Sequence, residues 1–186
     1  MPQSHDQDFK NLILDYPLAA LAFFVPEEAR RLGPEVRIIP VRQEQLKDRL
    51  SDRFFELDVP LLARWPNGEQ AELLFVLEEE TDPRRFSIHR LGVYCLQLAQ
   101  HFKTNRVVPV VIFLKSPTKP KRLRGRLAAR DSPAVNAPGA HLQLGGAHRP
   151  VMDFQPFIVM LGDLPAAQHL DSPNIVARIT LPCMRH

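Results

Sequence analysis

Residues 56–80 read ELDVPLLARWPNGEQAELLFVLEEE and form the most informative stretch of the chain. Both halves are rich in apolar residues, and the Pro-Asn-Gly sequence at 66–68 between them is typical of a tight turn. Leu73 to Leu77 make an unbroken apolar run, which favours a strand covered on both faces. The stretch therefore predicts a β-hairpin with one strand at 56–65 and the other at 71–80.

The turn determines which residues of the two strands lie opposite each other. If the chain folds back about Gly68, opposed residues have numbers that sum to roughly 136, and Asp58 faces Glu78. Opposed side chains have Cβ atoms only about 4.5–5.5 Å apart, so these two carboxylates repel each other unless a divalent cation lies between them. Glu80 shares a strand face with Glu78, because side chains alternate with a period of two.

Patterns on either side of the hairpin predict an α/β domain with a mixed sheet. Three short helices are expected within residues 5–31, and a short strand at 36–41 precedes the hairpin. A helix from about Arg84 to Phe102 and a buried strand from Val107 to Leu114 follow it. A further strand is expected at 154–161.

The helix after the hairpin carries two stripes of residues at helical spacing. One stripe is apolar and consists of Leu91, Cys95, Leu98 and Phe102; the other is polar and consists of Arg90, Tyr94, Gln97 and His101. The polar stripe is either a functional face or the wet side of an ordinary amphipathic helix. Cys95 is expected in the core rather than as a nucleophile.

Composition changes at about residues 115–150, where proline, glycine and basic residues predominate. It carries a basic run that consists of Lys119, Lys121, Arg122, Arg124, Arg126 and Arg130. We expect an irregular insertion here within a single domain of residues 1–186, with a loose hairpin pairing 123–128 with 141–144. The basic run either follows a nucleic-acid backbone or is a solvated loop, and it lacks aromatic residues for base stacking.

Several classes of protein are excluded by composition. A chain of 186 residues with 45% hydrophobic and 24% charged residues is typical of one soluble domain. No apolar run approaches the roughly 20 residues that span a bilayer, and the polar N-terminus lacks a signal-peptide pattern. Cys95 and Cys183 form no CxxC pair, so a reduced, cytoplasmic setting is expected. No zinc-binding, P-loop, GxSxG or dinucleotide-binding pattern occurs, and nothing indicates a sugar-binding platform for glycoside hydrolysis.

Four motifs in order resemble the recombination-promoting nuclease and putative transposase family of the PD-(D/E)XK nuclease superfamily. His5-Asp6-Gln7-Asp8-Phe9-Lys10 resembles the family's opening His-Asp-x-x-Phe-Lys, and Asp58 its lone Asp. Glu78-Glu79-Glu80 resembles the family's Glu-x-Gln motif, and Arg90 to Tyr94 is similar to its Arg-x-x-x-Tyr helix. The resemblance covers about residues 5 to 115. At Glu80 the chain departs from the family, which has Gln there, and from the superfamily, which has Lys.

The resemblance implies a restriction-endonuclease-like core, in which a mixed central sheet is flanked by helices. It implies DNA as substrate and Mg²⁺ or Mn²⁺ as cofactor, with Asp58 and Glu78 as metal ligands. Glu80 would be the third catalytic residue, at the water-orienting position, and water activated by the metal would hydrolyse the phosphodiester. Secondary site residues are Asp6 near the metal, Lys10 and Arg90 on phosphate, and Tyr94 supporting Arg90. Glu56 is a reserve ligand.

Plainer alternatives stay open for these residues. Glu78 to Glu80 is also what a strand looks like where it leaves the core for solvent, and Asp6 is also a helix cap beside a solvated Lys10. A third carboxylate at Glu80 repels phosphate, so the alternative function is a catalytically degenerate relative that binds DNA or a protein. A homodimer and a part in recombination or transposition are further expectations.

Overall fold

The computed structural model describes most of the chain, in six segments. The segments are 5–41, 59–66, 73–80, 86–114, 141–146 and 148–186, and for residues 5–7 and 73–80 the description covers only the backbone. Within them the fold is mixed α/β. None of the helices that the structure describes is long and apolar enough to span a bilayer.

Three helices open the chain, as the sequence predicts. They are α1 (His5–Asp15), α2 (Pro17–Phe24) and α3 (Pro26–Arg30). A proline occupies the first turn of both α2 and α3, where the missing N–H costs no hydrogen bond. After α3 the chain turns through Gly33 at a φ of 75°, a conformation that glycine adopts without steric cost.

The remaining described elements are seven strands and two helices. They are β1 (Arg37–Pro40), β2 (Val59–Arg64), β3 (Leu73–Glu80), α4 (Ile88–Phe102), β4 (Val107–Phe113), β5 (Leu142–Gly146), β6 (Arg149–Phe154), β7 (Phe157–Met160) and α5 (Ile175–Ile179). Short 3₁₀ turns at 161–163, 166–168 and 181–183 complete the C-terminal part. The predicted strands at 36–41 and 107–114 are confirmed, and the one at 154–161 is confirmed over its middle.

Five of these strands form one mixed sheet in the order β1-β2-β3-β4-β7. The first three pair antiparallel, whereas β3 with β4 and β4 with β7 pair parallel. A parallel pair needs a crossover, and α4 supplies it between β3 and β4. The predicted mixed sheet is therefore confirmed.

The register predicted for the central hairpin is confirmed where both strands are described. Val59 lies opposite Leu77 and Ala63 opposite Leu73, so the numbers of paired residues sum to 136. The expected turn at Asn67-Gly68 lies outside the described residues, and so does Asp58.

The sheet separates two hydrophobic cores. Val59, Leu61 and Ala63 of β2 belong to one core, on the face covered by α1, α2 and α5, which we call the α1 face. Leu62 belongs to the other core, on the face covered by α4, which we call the α4 face. Adjacent residues of one strand thus enter opposite cores, as the alternation of side chains in a strand requires.

Two sequence expectations need correction. The helix expected from about Arg84 begins instead at Ile88, because Ser87 is extended (φ −130°, ψ 108°) and caps it. Residues 142–146 form β5, which pairs with β6 in a local hairpin that the sequence did not predict, while the expected pairing of 141–144 with 123–128 is not tested. Residues 123–128 lie outside the described residues. Part of the interval predicted to be irregular, 115–150, is therefore regular.

The β5–β6 hairpin packs on α4, and two glycines, Gly145 and Gly146, end β5. A Cβ added to Gly92 of α4 would meet Leu142, Met152 and Phe154 at 3.8–3.9 Å, an ordinary van der Waals separation, so the hairpin lies directly on this part of the helix. The ladder shifts register between Leu144 and Gly145, which is a bulge.

Gly145 and Gly146 allow a matched test of this hairpin. A Cβ at Gly145 would lie 2.4 Å from the Arg149 carbonyl oxygen, whereas one at Gly146 would meet nothing within 4 Å. We expect Gly145→Ala to lower the free energy of unfolding by about 1–3 kcal/mol, because backbone must move to make room. Gly146→Ala should change it by less than about 0.5 kcal/mol. Urea denaturation of both variants measures the difference, and equal effects would contradict the hairpin geometry.

Candidate active site

The acidic triplet lies at one edge of the sheet. Because β3, β4 and β7 are parallel, their carboxyl ends meet at the same edge, and Glu78, Glu79 and Glu80 are the last residues of β3. In backbone register Glu78 pairs with Val111 and Glu80 with Phe113. Both partners belong to the core of the α4 face.

This register separates the three glutamates into two sets. Glu79 pairs with Ile112, which belongs to the core of the α1 face, whereas Glu78 and Glu80 pair with residues of the α4 face. Val59 opposite Leu77 is the last described pair of β2 and β3 toward this edge. The expected partner of Glu78, Asp58, follows just outside the described part of the chain.

The first turn of α4 lies at the same edge as the triplet. Phe86, just before the helix, makes an edge-to-face contact with Phe113, the last residue of β4, at a ring-centroid distance of 5.7 Å. Phe113 is also the register partner of Glu80. Arg90, in the first turn of α4, is thus at the carboxyl edge and on the α4 face, together with the backbone of Glu78 and Glu80.

A serine fixes where that turn begins. The Ser87 hydroxyl accepts a hydrogen bond from the Arg90 backbone N–H at 3.4 Å. This contact satisfies one of the N–H groups that a helix leaves unbonded at its start. The cap therefore sets the helical position at which Arg90 stands.

Tyr94 does not lie on a wet stripe, so that part of the sequence interpretation is wrong. It is only 1% exposed and packs in the α4-face core, as does Cys95. The exposed positions of the helix are His89, Val93, Leu96 and Gln100. Gln97 and His101 are half-buried. The hydroxyl of Tyr94 assigns it to the polar stripe, but its large ring is mostly apolar and favours burial.

The opening motif lies on the other side of the sheet. Phe9, on α1, is buried in the core of the α1 face, and Lys10 beside it is half-buried. Asp6 falls within α1, where only the backbone is described. Of the secondary site residues, the structure brings Arg90 to the face of Glu78 and Glu80, and sets α1 with Asp6 and Lys10 on the opposite face.

The described side chains contain no group of three or more His, Cys, Asp or Glu residues that could hold a metal ion. The carboxylates of Asp58, Glu78 and Glu80 lie outside the described side chains. Their chemistry suits Mg²⁺, which prefers hard oxygen ligands, and the backbone register keeps Glu78 and Glu80 on one face.

The basic run Lys119, Lys121, Arg122, Arg124 and Arg126 lies outside the described residues. Another basic group is present that the sequence interpretation missed. Arg37 and Arg64 are direct register partners, and the Arg106 guanidinium lies 5.2 Å from the ring centre of Trp65. The Arg-Trp dipeptide at 64–65 was a visible signal, but only the pairing of β1 with β2 brings Arg37 to it.

Comparisons with known proteins add no relative. Neither the models of known families, nor the curated proteins, nor the solved structures give a match to this chain. The inference of function therefore depends on the motifs and on the geometry described above.

Ser87 provides a test of how the first turn of α4 is held. We expect Ser87→Ala to lower the free energy of unfolding by about 1 kcal/mol, because the Arg90 N–H loses its acceptor. Ser87→Asp, the matched control, should retain stability, since its carboxylate caps equally well and complements the helix dipole. Urea denaturation measures both, and equal losses for Ala and Asp would contradict a capping role.

Proposed function

We propose that the chain is a metal-dependent DNA endonuclease with a restriction-endonuclease-like core, related by its motifs to the recombination-promoting nucleases. One observation carries the proposal, namely the pairing of Val59 with Leu77. Asp58 directly precedes Val59, so continuing the same pairing by one residue would set Asp58 opposite Glu78. A register different by one residue would have sent the two acids to opposite faces.

The surrounding architecture supports this reading. A mixed sheet with helices on both faces is what the motif resemblance leads us to expect, and the acids stand at the carboxyl edge of its parallel strands. In open α/β sheets, ligands bind preferentially outside the carboxyl ends of the strands. The first turn of α4, with Arg90, is at the same edge.

In the proposed mechanism Asp58 and Glu78 would hold Mg²⁺ or Mn²⁺ through their carboxylate oxygens. When bound, such an ion lowers the pKa of a water and offsets negative charge on the scissile phosphate. Glu80, two residues beyond Glu78, orients the attacking water, whose proton passes to bulk solvent. The leaving 3′ oxygen then takes a proton from solvent.

Arg90 binds the non-bridging phosphate oxygens in this scheme. Its planar guanidinium suits two such oxygens at once, and this is the usual strong geometry for phosphate. Its position also compensates for the missing Lys of the superfamily, because a third carboxylate at Glu80 would otherwise leave the site too negative for DNA. Buried Tyr94, one turn along, limits how far α4 can shift under Arg90.

Plasmid nicking with Mg²⁺ or Mn²⁺ tests the proposal. We expect nicking by the unmodified protein and a loss of at least about 100-fold in rate for Asp58→Asn and for Glu78→Gln, as for other preorganised electrostatic groups. Glu79→Gln is the matched control, because it removes the same charge from the adjacent residue, which pairs with the α1 face. It should retain the rate to within a few-fold.

The outcomes distinguish an error in the assigned residues from an error in the proposed reaction. Equal losses in Glu78→Gln and Glu79→Gln would contradict the assignment of the site to the α4 face. Absence of metal-dependent nicking by the unmodified protein would contradict the endonuclease itself.

Glu80 is the residue at which the chain departs from its apparent family, and it has its own test. We expect Glu80→Gln to bind DNA more tightly while nicking continues, since one negative charge near the phosphate is removed and the amide still positions water. Single-turnover nicking and DNA binding measure the two effects separately. Activity that appears only in Glu80→Lys or Glu80→Gln would instead identify a degenerate site.

A further inference from the structure

The β5–β6 hairpin encloses a small hollow near its tip, which we call the tip hollow. Its volume is about 230 Å³. Pockets that hold a whole drug-sized ligand measure roughly 300–1,000 Å³, so the tip hollow suits a single chemical group. Residues of both strands and of the turn between them line it, namely Gln143, Gly145, Gly146, His148, Arg149 and Pro150.

The side chains that line the tip hollow suit an anion. Arg149 carries a permanent positive charge, and His148 and Gln143 offer a ring nitrogen and an amide as hydrogen-bond donors. No carboxylate is among the lining residues. The carboxylate of Asp153, the register partner of Gln143, lies 2.9 Å from Nε2 of His141. A negatively charged group in the hollow therefore meets donors and positive charge.

The charge of Arg149 does not hold the described fold together. Its side chain is exposed, and it forms no ion pair with any residue that the structure describes. His148 beside it is exposed as well. Both groups can therefore turn to a ligand without breaking a described contact.

Two glycines leave the backbone uncovered beside these side chains. A Cβ added to Gly146 would meet no atom within 4 Å, so the space next to it is open. The ladder shifts register between Leu144 and Gly145, and such bulges often lie beside functional sites, where they redirect side chains. A ligand can thus approach the hairpin backbone closely at this point.

The hairpin is held at a fixed place on α4. A Cβ added to Gly92 would meet Met152 and Phe154 at 3.8–3.9 Å. Arg149 precedes Met152 by three residues, which in a strand is about 10 Å. The tip hollow is therefore positioned before a ligand binds, and a preorganised site loses less entropy on binding.

We infer that the tip hollow binds a phosphate group. The planar guanidinium of Arg149 matches two phosphate oxygens, and His148 and Gln143 donate to the others. The source of the phosphate is the backbone of DNA held on the α4 face, and this identity rests on the proposed function. The contact is separate from Arg90, which binds the scissile phosphate in the proposed mechanism.

Salt-dependent DNA binding tests the contribution of Arg149. A labelled random-sequence duplex is titrated with the full-length protein in EDTA, where no metal-dependent cleavage occurs, and anisotropy gives K at several salt concentrations. Arg149→Gln should reduce the slope of log K against log salt by about 0.9, which is about 8-fold in affinity at roughly 0.1 M salt.

Arg178→Gln is the matched control for this measurement. It removes the same charge from an exposed position of α5, on the α1 face and so on the other side of the sheet from the hairpin. It should leave both the slope and the affinity unchanged. Both variants should keep the thermal midpoint of the unmodified protein, because both side chains are exposed.

Backbone amide NMR locates the ligand on the protein. We expect the duplex to shift the amide signals of Gly145 and Gly146, and Arg149→Gln to remove these shifts. Inorganic phosphate is titrated in parallel, because it offers the same oxygens without the rest of the nucleic acid. Shifts that millimolar inorganic phosphate causes and the duplex does not would support the phosphate site and assign it to a free phosphate rather than DNA.

Two results would overturn the inference. If neither the duplex nor inorganic phosphate shifts the two glycine signals, the tip hollow holds no phosphate. If Arg149→Gln and Arg178→Gln change the slope equally, only the net charge of the protein matters.

The result is independent of cleavage. Binding through Arg149 in EDTA, without any nicking when metal is supplied, would contradict the proposed reaction and support this contact. Nicking together with an unaltered slope and unshifted glycine signals would do the reverse.

Discussion

The pairing of β2 with β3 is the constraint on which the rest of this structure depends. β3 is hydrogen-bonded to β2 on one side and to β4 on the other. The alignment of β3 with its antiparallel neighbour β2 therefore also affects how it aligns with its parallel neighbour β4. A slip of one residue would exchange the two faces, sending Leu61 into the core that now holds Leu62. Both cores would then receive the wrong side chains, which is why one register prevails.

The same constraint places an acidic triplet at the end of β3. The apolar run of β3 stops at Leu77, opposite Val59, and the three glutamates follow at the carboxyl edge of the parallel strands. Buried carboxylates would lose hydration without compensation, whereas carboxylates at an edge keep water or take a cation in its place. The Phe86–Phe113 contact closes the α4-face core just beneath this edge and brings the first turn of α4 beside it.

Local signals made much of the fold predictable. Pro17 and Pro26 mark helix starts whatever surrounds them, and the turn expected about Gly68 predicts the register that β2 and β3 show. The sequence interpretation failed where other interactions determine the structure. Ser87 caps α4, so the helix begins later than expected. Burial of the Tyr94 ring stabilises more than exposure of its hydroxyl would. For the site, the β2–β3 register was predictable as far as the Val59–Leu77 pair, but the pairing of Arg37 with Arg64 joins strands far apart in sequence, and the Arg-Trp dipeptide alone does not predict it.

Distance prevents the two charged edges from acting as one site. Leu73 and Glu80 are the ends of β3, and seven steps of about 3.3 Å separate them by roughly 23 Å. The Debye length at physiological salt is about 8 Å, so arginines at one edge neither neutralise the glutamates at the other nor are neutralised by them. For the same reason Arg37 and Arg64 do not offset the charge of the glutamates, so in the proposed site that charge has to be offset by a group within a few ångströms, either a divalent ion or Arg90.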